Sequence, residues 1–221
     1  MAYATFRRTH DGRTYVPDDW DLDTLARALW GEEGSKPSQK ALAATAWTWM
    51  NRYMLHPGQI RNWPKLEDLI KGHSQPVNPA WRRDGKFCRP GGKYHGTDHC
   101  SESRLKRRES CAFASWSSVP AACRSFALRF LSGEVPQVSD PPYVDFAAWT
   151  LTKNRGGVQV ESGGQGYLTK ANDKSSSYWV PGTVEVSGGG GILDQKTTKY
   201  ALGALGMIVV SSLTLLATSG R

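Results

Sequence analysis

Gly31 is followed by two glutamates, Glu32 and Glu33, at the end of DLDTLARALW, where apolar Leu22, Leu25, Ala26 and Leu29 recur at helical spacing. A glutamate at a helix end, between Trp30 and the alanine-rich ALAATAWTWM, is partly removed from water. Desolvation penalises the carboxylate, raises its pKa, and so supplies a general acid near neutral pH. Glu32 is the candidate acid. Most glutamates at helix ends are solvated surface residues, so its neighbours must distinguish it. Glu33 and Asp145 are the candidates for a partner carboxylate, with a structural role the stronger reading of each.

The elements that must position Glu32 follow from periodicity and punctuation. Asp19 or Asp21 can cap the first helix, Gly31 ends it, and GEEGSKPSQ forms a turn. Pro37 fits the first turn of a second helix over 38–55, with Leu42, Ala46, Trp49, Met50 and Tyr53 as its buried stripe. A short helix is expected at WPKLEDLIKG, then a long basic loop over 82–108. A helical region follows over 109–132, broken at Pro120 and closed by Gly133. Between 140 and 190, aromatic and β-branched residues alternate with glycine in GGVQVES, GYLTK and YWVPGTVEV, which predicts short strands. The class is therefore α+β and mainly helical.

Four segments in this order resemble the cell-wall hydrolase family of the spore-cortex-lytic type. They are Leu25-Ala26-Arg27 with Gly31-Glu32; Gln39, Ala43-Ala44 and Asn51-Arg52; Pro64, Leu66 and Ile70; and Ala127 with Phe130-Leu131-Ser132-Gly133-Glu134-Val135-Pro136. The likeness covers about 20–149, with the basic stretch inserted. It implies a lysozyme-like fold that cuts the glycan strands of peptidoglycan, with Glu32 as catalytic acid and no cofactor or metal. Where the family has Thr-His-Phe or Thr-Tyr-Tyr, this chain has Tyr143-Val144-Asp145-Phe146. Trp30, Asn51, Tyr143 and Phe146 are the candidate substrate-binding residues. A lytic transglycosylase needs only one carboxylate, because the muramoyl 6-hydroxyl of the substrate attacks the anomeric carbon. With no clear partner for Glu32, that chemistry is expected ahead of a two-carboxylate muramidase.

Charge and cysteines add less. The chain of 221 residues carries 28 Lys and Arg against 20 Asp and Glu, a net +8. Residues 82–108 hold nine of the cations and three of the acids. Such a loop would be drawn to an anionic wall or to lipid headgroups, and it lacks the motifs of a nucleic-acid binder. Cys88, Cys100, Cys111 and Cys123 leave open disulfides, free thiols, or a metal site of Cys88, His95, His99 and Cys100.

The division expected is a polar leader over 1–18, a peptidoglycan-cleaving domain over 19–186, a Gly-rich linker over 187–199 and a membrane helix over 200–220. The 21 uncharged residues of that last stretch would span roughly 31 Å as a helix, close to a bilayer core. The N-terminus has no apolar core of a signal peptide. A wall-cutting domain with only a C-terminal anchor points to a bacteriophage particle, with other virion proteins as partners. A non-enzymatic virion membrane or structural protein is the rival class.

Overall fold

The computed structural model describes residues 2–56, 63–161, 164–172 and 179–188. Helix α1 spans Asp19–Glu33, and neither Asp19 nor Asp21 is its N-cap. Asp18 is the cap: its carboxylate accepts from the Trp20 and Asp21 amides, and Asp21 accepts in return from the Asp18 amide. The helix runs through Gly31 and ends at Gly34, whose φ of 87° is open to glycine. Glu32 and Glu33 therefore lie in the last helical turn, not beyond it.

Helix α2 spans Gln39–Leu55, capped by Ser38, with Pro37 just ahead of the cap. It is buried almost all round: Thr45, Trp47, Thr48 and Asn51 are enclosed as well as the expected stripe. A helix enclosed on every side is the centre of its domain. Helices α3 (Leu66–His73), α4 (Glu102–Phe113) and α5 (Ala121–Leu131) complete the larger helical set. The four-residue α6, Trp149–Thr152, follows strand β3, Tyr143–Ala148.

Strands β1 (Thr5–Arg8), β2 (Thr14–Tyr15) and β6 (Val184–Ser187) form an antiparallel sheet in the order β2-β1-β6. The expected polar leader is thus part of the fold. The two-residue period of a strand turns Phe6 and Arg8 inward and Arg7 outward. Phe6 packs against Trp47 and Phe130, and the buried Arg8 donates to the Met54 carbonyl at 2.7 Å. One strong apolar residue among polar ones gives little sequence signal, and the partner strand begins near the other end of the described chain. Strands β4 (Val158–Gln159) and β5 (Gln165–Thr169) join β3 in a second antiparallel sheet, ordered β3-β5-β4. The register of β3 against β5 shifts between Tyr143 and Asp145.

Two expectations need correction. The fold is α+β with two small antiparallel sheets, and among the described residues no helix is long and apolar enough to cross a membrane. A lysozyme-like domain completed by a membrane helix is therefore not the fold described; 200–220, and the linker beyond Gly188, lie outside the described residues. Second, the basic stretch is not all loop, because α4 begins at Glu102 and buries Leu105, Arg108 and Cys111 along one stripe. Of the states left open for the cysteines, Cys88 and Cys100 form a disulfide, while Cys111 and Cys123 are free and buried. Among the described residues no group of His, Cys, Asp or Glu could hold a metal ion. His95 Nδ1 instead lies 2.9 Å from the Cys88 carbonyl oxygen, and His99 packs on Tyr94.

Asp21 joins three elements from a fully buried position. It accepts from the Tyr15 hydroxyl of β2 at 2.5 Å, from the Glu67 amide of α3 at 2.8 Å, and from its own cap residue at 3.0 Å. Asp21→Ala would leave those donors without an acceptor. It should lower unfolding free energy by on the order of 3 kcal/mol, read from the urea midpoint at unchanged slope.

Candidate active site

Position 31 admits no side chain. A Cβ there would lie 2.1 Å from the Cβ of Pro76 and 3.4 Å from the Cys111 sulfur. Gly31 so lets the segment after α3 lie against the last turn of α1. Ser74, itself buried at the C-cap of α3, then donates from Oγ to Glu32 Oε1 at 2.7 Å. The last turn of a helix leaves carbonyls without partners. Arg107 of α4 answers one of them, donating to the Gly31 carbonyl at 2.8 Å.

Glu32 borders a cleft of about 760 Å³ whose other walls include Trp49, Arg52, His73, Asp145 and Phe146. A second hollow, of about 860 Å³, is lined by Glu33, Lys36, Glu161 and Gly164 and shares Glu32, Ala148 and Gln165 with the first. The two hollows adjoin at these three residues, and Glu32 lines both.

The electrostatics of Glu32 are those of an acid. Burial pushes its pKa up to about 7, with the neighbouring Glu33 charge adding to the rise. Hydrogen bonds from Ser74 and Gln165 and the charge of Arg107 act the other way and do not overcome burial. The negative end of the α1 dipole also disfavours a carboxylate at this turn. A group near pKa 7 can both give and take a proton at neutral pH.

Glu33, next in sequence, has a different environment. Its Oε1 accepts from Thr45 Oγ1 at 2.5 Å, from the Tyr167 hydroxyl at 3.3 Å and from Gln165 Nε2 at 3.4 Å. Burial raises its pKa, and the Thr45 and Tyr167 hydroxyls oppose the rise. The network ties α1 to α2 and β5, and Gln165 contacts both glutamates.

The remaining sequence candidates separate. Phe146 lines the cleft and meets Trp49 edge to face, ring centroids 5.0 Å apart. Asp145 lines the same cleft, with Oδ1 3.0 Å from Arg52 Nη1. Asn51 is fully buried and donates to the Tyr143 carbonyl at 2.9 Å, which fixes β3 on α2. Tyr143 is buried against Tyr167. Neither reaches the cleft, and both act by positioning the strand that carries Asp145 and Phe146. Trp30 packs on the main core. It is two residues before Glu32, roughly 200° around the helix axis, so it cannot wall that side chain. Sequence reading had no means of finding Ser74, Gln165 or Arg107 as partners, because they lie 42 or more positions from the glycine–glutamate pair they serve.

No protein-family model, curated protein or solved structure matches the chain.

The raised pKa of Glu32 has a thermodynamic sign. Between about 4.5 and about 7 the folded protein holds a proton that the unfolded chain has released. Stability from this group is therefore complete at acid pH and declines as pH rises through that window. Glu32→Gln removes the buried charge. Relative to wild type it should gain on the order of 2 kcal/mol on going from pH 4.5 to pH 8, measured by urea unfolding at both.

Proposed function

We propose that the chain cleaves the glycan strands of peptidoglycan, with Glu32 as the acid–base residue. The observation carrying this reading is a carboxyl that is desolvated, held by Ser74, raised to about pKa 7, and lining two adjoining hollows. The substrate class rests on the four ordered segments around Glu32 described above. Phe146, backed by the buried Trp49, suits the apolar face of a sugar ring beside the carboxyl.

In the single-carboxylate route, protonated Glu32 donates to the glycosidic oxygen as the bond to the anomeric carbon breaks. The resulting carboxylate then takes the proton of the muramoyl 6-hydroxyl as that oxygen bonds to the anomeric carbon. The product end is a 1,6-anhydro sugar, and Glu32 regains its proton. The placement of Asp145 in the same cleft supports a second reading, in which it activates water and the product is a reducing muramic end. Its pairing with Arg52 favours a structural role, so the transglycosylase route comes first.

Glu32→Gln should lower cleavage by on the order of 10² or more while the fold persists. Wild-type cleavage should fall as pH rises past about 7, where Glu32 loses its proton. Mass spectrometry of the sugar ends, with Asp145→Asn alongside, separates the two routes. Anhydro ends and an active Asp145→Asn protein are expected. Reducing ends together with an inactive Asp145→Asn protein would establish the muramidase.

A further inference from the structure

One wall of the cleft is cationic, and not all of its charge is spent on the fold. Arg52 is paired with Asp145, and the buried Arg108 donates to the Trp81 carbonyl and to Gln75 Oε1. Arg104 and Arg107 differ. They stand one turn apart on α4, both line the cleft, and both side chains are exposed. The only ion pair of Arg104 among the described residues is with Asp98, at 2.7 Å, with side chains 49% and 78% exposed. A pair so open to water contributes little and exchanges readily. Arg107 is bonded to the neutral Gly31 carbonyl, and among the described residues no carboxylate pairs with it.

The helix bearing these residues is rigidly held. Arg27 of α1 donates to the Cys111 and Ala114 carbonyls at its C-terminal end. Arg83 bridges to Glu102 and Glu109, and Arg108 lies over Trp81 beside the Cys88–Cys100 disulfide. A guanidinium next to a general acid opposes protonation of that acid, so the placement of Arg107 works against Glu32 unless it serves something else. A bound anion is what it can serve: guanidinium forks match carboxylates in geometry and charge.

We propose that Arg104 and Arg107 form a carboxylate-binding subsite beside Glu32. The cleft then takes glycan strands whose muramoyl lactyl groups or stem peptides carry free carboxylates, in preference to neutral amino-sugar polymers. The proposal rests on the reading that the cleft binds glycan.

The test uses the full chain carrying Glu32→Gln, so that binding is read without turnover. The probes are soluble peptidoglycan fragments with free carboxylates and the same fragments after methyl esterification. Esterification should weaken binding about tenfold. Adding Arg104→Gln and Arg107→Gln should bring the free-carboxylate probe down to the level of the ester and leave the ester unchanged. Arg104→Gln alone, at an exposed position, should give a smaller loss confined to the charged probe. Lys86→Gln with Lys93→Gln removes the same charge away from the cleft and should leave the ratio intact. Equal binding of both probes overturns the subsite and leaves the cleavage reading standing; binding of neither overturns both. An equal loss for both probes in the arginine variants, or loss of the ratio in the lysine variant, also overturns the subsite.

Discussion

The cleft depends on the backbone of Gly31 lying against Pro76, a contact too close for any side chain. Because α1 presents bare backbone there, the chain leaving α3 can cover its last turn and bring Ser74 to Glu32. The same absence of a side chain leaves the Gly31 carbonyl open to Arg107. A single residue thus sets the burial of the carboxyl, its hydrogen-bond partner and the approach of the cationic helix. The cost is a glycine inside a helix, which disfavours it relative to alanine by roughly 1 kcal/mol.

Two adjacent glutamates at the C-terminal end of a helix oppose its dipole and each other. The fold resolves the conflict by giving them different surroundings. Successive helical residues diverge by about 100°, so Glu33 reaches Thr45 and Tyr167 while Glu32 faces Ser74 and the cleft. Glu33 acts as a buried strut between α1, α2 and β5, and its charge helps to hold the Glu32 proton.

The basic segment supplies a wall as well as surface charge. Its disulfide closes a small cluster of Trp81, Phe87 and Tyr94 around Cys88, Cys100 and Leu105. A stretch rich in glycine and charge has too little apolar surface to order itself, and the cross-link removes part of the entropy it would otherwise keep. Arg108 joins this cluster to the cleft by lying over Trp81 and bonding Gln75. The basic segment is thereby one side of the cleft that Glu32 lines.

By itself the sequence determined the helices with strong periodicity or clear caps, the α+β class, and Glu32 as the residue to examine. Leu22, Leu25, Ala26 and Leu29, and the all-round apolar character of α2, are local signals that neighbours along the chain suffice to show. Tertiary structure decided the rest. Phe6 became core by packing on Trp47 and Phe130, in a strand paired with β6 from Val184 onward. Asn51 and Tyr143 look like ligand contacts in a motif, yet each is spent on holding β3 to α2. Trp30 lies on a different face from Glu32 because α1 continues through Gly31, where a Cβ would meet Pro76. Residue type and spacing report which chemistry a chain can carry. Burial depends on what packs from far along the chain, so the pKa of Glu32, its partners Ser74 and Gln165, and the hollows it lines exist only in the folded molecule.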